Sequence, residues 1–174
     1  MTKAAPLAEP SAESLLAIER QVRQNGTALT AKELEGCWWL QEVWPKATGQ
    51  PTRGPGWLFR GLAARLEIGA NTDHLPISNA VALGGLELRF RGRGTLRGRR
   101  PLLAFQFDHL ELSLAGRVLW RQVLPPPNPK RQPFFALIHR DPNGWLAARG
   151  RAGGLALWRL ATAGPSQPDS APGH

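Results

Sequence analysis

Short stretches in which apolar and polar residues alternate dominate the chain from Gly36 onward. The clearest is Leu86–Arg91, where every second residue is apolar and the residues between are charged. This period of two is typical of a strand with one dry and one solvated face. The region 71–78 is predicted to be a loop. Alternation or aromatic density predicts further strands at Cys37–Trp44, Trp57–Ile68, Ala80–Leu83, Leu103–Leu114, Val118–Val123 and Phe134–His139.

The stretch from Gly144 to Leu160 is two apolar runs joined by a glycine-bearing loop. Glycine enters positive-φ turn conformations without steric cost, so this arrangement predicts a β-hairpin. Both faces of the hairpin are apolar, and both must therefore be covered in the folded protein. We expect a sheet wrapped into a barrel or a sandwich, closed by these last two strands.

One predicted strand changes its parity at Asp108-His109. Leu103, Phe105 and Phe107 share a face before this point, whereas the leucines at 110, 112 and 114 share a face after it. A single extra residue moves every later side chain to the other face of a strand. The pattern therefore predicts a β-bulge or bend at this dipeptide.

The N-terminal region carries a helical pattern instead. Leu15, Ile18 and Val22 recur at spacings of three and four residues, which predicts an amphipathic helix that begins after Ser11 and ends before Gly26. Thr30 and Glu33 have the spacing of a capping box, so a brief second helix is expected there.

These elements predict a mainly β fold: an antiparallel, lipocalin-like β-barrel of about eight strands with an N-terminal helix. The alternative is a filled barrel without a cavity. The expected organisation is a disordered N-terminus at 1–10, a helical segment at 11–35, the barrel at 36–162, and a disordered tail at 163–174.

Composition narrows the class of protein. No run approaches the length of about 18 apolar residues that a membrane-spanning helix needs, and the N-terminus lacks the apolar core of a secretory signal. Cys37 is the single cysteine, so neither an internal disulfide nor a cysteine-based zinc cluster can form. We therefore expect a cytoplasmic protein. Most of the seven tryptophans are expected to line a core or a pocket.

The two ends of the chain resemble the plastid lipid-associated proteins, or fibrillins, of chloroplasts and cyanobacteria. Arg149, Gly150 and Gly153 match the arginine-glycine turn that ends that family. Gly36, Trp38 and Leu40 match its Gly-x-Trp-x-Leu first strand, and the run SLLAIERQVRQNG resembles its opening helix. The acidic residues that the family usually has before the final hairpin are reduced here to Asp141, and the tyrosine after the first strand is absent. The chain looks like a divergent cyanobacterial-type member.

The resemblance implies a lipophilic cargo such as a carotenoid, a quinone or a membrane lipid, bound near thylakoids. Aromatic side chains at a barrel mouth suit such a molecule. The residues that we expect to point inward and contact it are Trp38, Leu40, Phe90, Phe105 and Phe107.

A run of arginines interleaved with glycines is the strongest electrostatic feature of a chain whose formal net charge is +9. Such a run could contact anionic lipid headgroups or nucleic acid, or it could be a solvated strand face that reflects an arginine-rich composition. Of the two binding modes, we expect a peripheral contact with an anionic membrane and not with nucleic acid. The predicted patch consists of Arg89, Arg91, Arg93, Arg97, Arg99 and Arg100.

No set of residues has the spacing of a catalytic or metal site. The histidines lack a partner at a metal-ligand spacing, and Cys37 in a tryptophan-rich strand is expected to be a buried, unreactive thiol. We therefore predict a non-enzymatic protein, without metal or cofactor, that binds or sequesters a hydrophobic small molecule. Two alternatives stay open: a lipocalin-type bilin lyase or chaperone, and a basic nucleic-acid-binding barrel.

Overall fold

The structure is a computed structural model that describes residues 9–45, 63–69 and 74–161. These residues form two α-helices, α1 (Ala12–Asn25) and α2 (Ala31–Leu34), and nine strands. A 3-10 turn at Pro129–Arg131 precedes the seventh strand. The strands are β1 (Gly36–Trp44), β2 (Ala63–Ile68), β3 (Leu75–Leu83), β4 (Leu86–Arg97), β5 (Leu102–Leu114), β6 (Arg117–Val123), β7 (Phe134–Asp141), β8 (Trp145–Gly150) and β9 (Leu155–Leu160).

The nine strands form one antiparallel sheet that closes nearly into a ring. Eight of them follow one another around the ring in the order β1, β2, β3, β4, β5, β7, β8 and β9, and β9 pairs again with β1. β6 lies outside the ring and pairs with the second half of β5. The prediction of a mainly β, antiparallel barrel of about eight strands with an N-terminal helix is confirmed.

Both predicted helices form, with the expected caps. The Ser11 hydroxyl accepts a hydrogen bond from the Ser14 N–H at 3.2 Å, and Gly26, at φ +78°, ends α1 with its N–H bonded to the Val22 carbonyl. At α2, the Thr30 N–H donates to the Glu33 carboxylate at 2.8 Å. Such bonds satisfy backbone groups that a helix end leaves without a partner.

The closing hairpin is covered on both faces, as its composition predicted. One face points into the barrel, where Leu146, Ala148 and Trp158 belong to the inner core. The other face carries Ala147 and Leu157, which pack in a second core beneath α1. The members of this outer core are Leu15, Ile138, Trp145, Ala147, Leu155 and Leu157.

The predicted bulge at Asp108-His109 is also confirmed. Arg91 pairs with His109 and Gly92 with Phe107, so Asp108 is the extra residue on β5. A Cβ on Gly92 would lie 1.9 Å from the Gln106 carbonyl oxygen, so only glycine fits opposite the bulge. The shift keeps both Phe107 and Leu110 on the inward face, although they are an odd number of residues apart.

Some predictions need correction or lie outside the described residues. The region from Leu75 to Ser78, predicted as loop, is the first half of β3, because Leu75 and Ile77 point into the core opposite β4. Pro76 interrupts the strand pattern in the sequence, so this strand was not predicted. The predicted disorder at 1–8 and 163–174 and the predicted strand over 57–62 lie outside the described residues.

Candidate functional site

One end of the barrel is plugged by the end of α2 and the beginning of β1. Leu34 and Trp38 are fully buried there, and the Trp38 indole Nε1–H donates to the Leu34 carbonyl at 2.8 Å. The Arg140 guanidinium lies 5.0 Å from the centre of the Trp38 ring on the same side. Trp38 therefore closes this plugged end.

The opposite end, which we call the open end, contains an apolar cavity of about 370 Å³. It lies where β1 and β7 meet the turn between β8 and β9, with β2 and β3 on its far side. Most of its surface is carbon. The side chains that shape it are Leu40, Leu66, Val81, Phe135, Ala156 and Trp158. A concave, mainly apolar lining of this kind is typical of small-molecule sites.

A row of five aromatic rings runs through the barrel to this cavity. Consecutive ring centres are 5.4, 5.3, 5.1 and 5.2 Å apart, from Phe90 through Phe107, Phe105 and Phe135 to Trp158. These separations lie in the range in which tilted and edge-on ring pairs attract each other. Phe135 and Trp158, at one end of the row, line the cavity, and the other three rings lie behind them.

Asn79 places a polar group in the otherwise apolar wall. It lies opposite Leu66 on β2 and Phe90 on β4, which puts it on the inward face of β3. Its side-chain amide has both donor and acceptor atoms. A carbonyl or hydroxyl of a bound molecule could therefore be oriented by this residue.

The five predicted ligand residues have different positions. Leu40 lines the cavity, whereas Trp38 forms the plug at the other end. Phe90, Phe105 and Phe107 are brought together in the aromatic row, behind the rings that reach the cavity. Sequence reasoning missed the lining residues Asn79, Phe135 and Trp158. The alternation in the strands Phe134–His139 and 155–158 was the available signal, but it does not tell which strands become neighbours.

The residues of the arginine-glycine turn tie the hairpin to α1. Arg149 donates from Nε and Nη2 to the two carboxylate oxygens of Glu19 at 2.7 and 2.6 Å, and from Nη1 to the Gly153 carbonyl at 2.6 Å. The hydrogen bonds from Arg149 hold the pKa of Glu19 below its ordinary value. The Gly153 N–H donates to the Gly150 carbonyl, the Gly150 N–H donates to the Gly154 carbonyl, and Gly153 has a φ of +87°. In this structure the turn therefore orders the hairpin and the helix.

Gly36, at the start of β1, is required by close packing. Its φ is +130°, and a Cβ there would lie 2.6 Å from Leu160 Cδ1. Of the three residues that match the Gly-x-Trp-x-Leu pattern, Gly36 thus allows Leu160 to pack closely, Trp38 plugs one end of the barrel and Leu40 lines the cavity.

The predicted basic patch is only partly available to a partner. Arg89 bonds to both Glu67 and Glu87, and Arg65 bonds to the same two carboxylates, so the four side chains form a closed, neutral ring on the outer face. Arg91 shares Glu111 with Arg121. The remaining exposed members, for which the described part of the chain shows no ion pair, are Arg93, Arg97, Arg99 and Arg100.

The titratable groups of the described residues do not converge on one site. Within residues 9–45, 63–69 and 74–161, no three histidine, cysteine, aspartate or glutamate residues come together as metal ligands would. The His109 Nδ1 lies 2.6 Å from Asp108 Oδ1, as an isolated pair on the surface of β5. Cys37, predicted to be a buried thiol, is only partly buried, and this partial burial raises the pKa of the thiol.

Comparison with known proteins gives no family or function: no protein-family model matches the chain, and no curated protein matches its sequence. None of the helices in the described ranges has the length and apolar character to cross a bilayer. The function must therefore be inferred from the site and from the resemblance at the two ends of the chain.

Proposed function

We propose that this protein binds a hydrophobic small molecule, without chemical conversion, in the cavity at the open end of the barrel. The observation that carries the proposal is the apolar cavity of about 370 Å³, whose wall includes the contacting rings of Phe135 and Trp158. The resemblance to fibrillins suggests the class of cargo: a carotenoid, a quinone or a lipid, at or near a thylakoid-type membrane.

The size and polarity of the cavity favour a ring with one polar group. Its volume lies in the lower part of the range of about 300 to 1,000 Å³ for small-molecule sites. A quinone or other ring headgroup suits it, and a long isoprenoid chain would extend through the mouth. Asn79 can donate a hydrogen bond to a ring carbonyl, which favours a quinone over a pure hydrocarbon.

The cavity lining also supports binding over catalysis. A lyase or a hydrolase needs an acid, a base or a nucleophile next to the bound molecule. The lining residues in the described ranges include Arg65 and Asn79 but no histidine, cysteine, aspartate or glutamate. The Arg65 guanidinium forms ion pairs with Glu67 and Glu87 on the outer face of the sheet.

A short-chain quinone, titrated into the purified protein and followed by tryptophan fluorescence, tests the proposal. We expect saturable quenching, because Trp158 forms part of the wall. Val81→Trp fills the cavity and should weaken binding by about tenfold or more. Val123→Trp is the matched control, because Val123 is 70% exposed on β6 and lies outside the cavity.

Equal affinity in the wild type and in Val81→Trp would contradict the assignment of this cavity. Organic extracts of the protein, purified gently from its native source, should also contain a pigment, a quinone or a lipid by absorbance and mass spectrometry. Repeated extracts without such a molecule would count against the proposed cargo class.

A further inference from the structure

The exposed apolar side chains of this protein are concentrated at the open end. Of the ten large hydrophobic residues that are exposed in the described ranges, eight belong to the sheet from the end of β3 through β6. Six of these surround two adjacent turns, and we call them the apolar tip: Leu83, Leu86, Leu114, Val118, Leu119 and Trp120. Their exposed fractions range from 43% at Leu86 to 62% at Leu83.

The two turns of the apolar tip project from the barrel side by side. The Ala115 N–H of the β5–β6 turn donates to the Gly85 carbonyl of the β3–β4 turn at 2.7 Å. A Cβ placed on Gly84 or on Gly116 would meet no heavy atom of the described residues within 4 Å. The tip is therefore a protrusion, stiffened by the hydrogen bond between its turns.

The inward face of the tip is continuous with the cavity. Val81, which lines the cavity, lies opposite Leu88, which lies opposite Leu112, which in turn lies opposite Trp120. One uninterrupted row of apolar side chains thus leads from the mouth to the outermost strand. A hydrophobic molecule leaving the cavity along this row would keep contact with carbon.

The tip is apolar on both faces of the sheet. Leu83, Leu86 and Leu114 share the inward face, whereas Val118 lies opposite Ser113 on the other face. A protein partner that covers one face would leave the other exposed to water. A lipid layer surrounds an inserted protrusion, so it covers both faces at once.

The charge next to the tip favours an anionic lipid surface. Arg117 begins β6 directly after the turn, and Arg91 and Arg121 share the single carboxylate of Glu111 behind it. Two arginines on one glutamate leave one excess positive charge, in a chain whose net charge is +9. Basic residues near a membrane surface are attracted by anionic headgroups, and tryptophan is favoured at the headgroup level.

We propose that the apolar tip inserts into an anionic lipid layer and so orients the open end of the barrel toward the membrane. This inference rests on the proposed function, because it makes the cavity mouth the face that meets the lipid. It goes further by assigning the contact to the tip and not to the arginines along β4. The members of that patch without an ion pair in the described ranges, Arg93, Arg97, Arg99 and Arg100, lie toward and beyond the end of β4 that is farther from the tip.

Sedimentation with vesicles of phosphatidylcholine and phosphatidylglycerol tests the inference. The double variant Leu86→Ser/Leu114→Ser removes two tip side chains that are 43% and 49% exposed. The matched control is Leu16→Ser/Leu102→Ser, at two leucines that are each 40% exposed away from the tip. We expect the tip variant to lose about tenfold or more in vesicle affinity, and the control to change by less than about twofold.

Two further measurements keep the result interpretable. Titration with the short-chain quinone in the absence of vesicles reports whether each variant is folded and whether the cavity works, so a failure of the proposed function is seen separately. Trp120→Ser provides a single-site variant of the tip and should also weaken vesicle binding.

Several outcomes would overturn the inference. They are a wild-type protein that binds the quinone but not the vesicles, a tip variant that binds vesicles as tightly as the control, and a concentration-dependent dimer in sedimentation velocity that the tip variant abolishes. The last result would assign the tip to a second copy of the chain.

Discussion

The contact between Arg149 and Glu19 should contribute measurably to the stability of the fold, because it joins the closing hairpin to α1. We consider the substitution Glu19→Gln, which keeps the shape of the side chain and removes its charge. The Glu19 side chain is 10% exposed and that of Arg149 is 24% exposed. The same carboxylate also accepts a hydrogen bond from Arg23 at 3.2 Å.

The magnitude follows from this partial burial. Exposed ion pairs contribute about 0.2 to 1 kcal/mol, whereas breaking a buried pair costs about 3 to 5 kcal/mol. The Arg149–Glu19 pair is intermediate in burial between these two cases and has two short charge-assisted hydrogen bonds. We therefore expect Glu19→Gln to lower the free energy of unfolding by about 2 kcal/mol at pH 7. The corresponding fall in the midpoint of thermal unfolding is about 4 to 8 °C.

The effect should depend on pH in a defined direction. Arg149 lowers the pKa of Glu19 in the folded state. The contribution to stability is therefore fully present above the unfolded-state pKa of about 4.3, and it is lost as the pH falls through the lower, folded-state pKa. The difference in unfolding free energy between the wild type and Glu19→Gln should shrink as the pH falls below about 4.

Urea unfolding followed by tryptophan fluorescence, at pH 7 and at acidic pH, measures both quantities. Glu13→Gln is the control, because Glu13 lies exposed in the first turn of the same helix and should cost less than about 0.5 kcal/mol. A Glu19→Gln effect no larger than that of the control at pH 7, or one that does not shrink in acid, would refute the assigned role of the pair.

Two other predictions concern the bulge and the cavity. Gly92→Ala should destabilise the protein by about 2 kcal/mol or more in urea unfolding, because the new Cβ would meet the Gln106 backbone. Gly85→Ala is the control and should change stability by less than about 1 kcal/mol, because the nearest atom to its Cβ is 3.6 Å away. Equal effects of the two substitutions would contradict the tight packing at the bulge. Asn79→Leu should weaken binding of a short-chain quinone by about five- to tenfold, because one hydrogen bond is lost. It should not weaken binding of a hydrocarbon carotenoid. Fluorescence titrations with the two molecules distinguish the loss of the hydrogen bond from a general loss of the cavity.

Much of the candidate site depends on which strands become neighbours. The inward positions of Phe105 and Phe107 could be predicted, because alternation along one strand reports which residues share a face. Trp38 was predicted by the same logic, but it forms the plug, since the turn after α2 places it at the closed end. Phe135 and Trp158 come together only because β7, β8 and β9 close the ring. No local pattern contains that pairing.

The sequence by itself determined the mainly β class, the N-terminal helices, the bulge at Asp108 and the need to cover the last hairpin on both faces. All of these follow from period, parity and local hydrogen bonding, which act over a few residues. Only the tertiary structure decided that β6 stays outside the ring, that one end is plugged while the other holds a cavity, and that Arg149 reaches Glu19 on α1. These features depend on contacts between residues far apart in the chain, whose geometry is set by how the whole sheet closes.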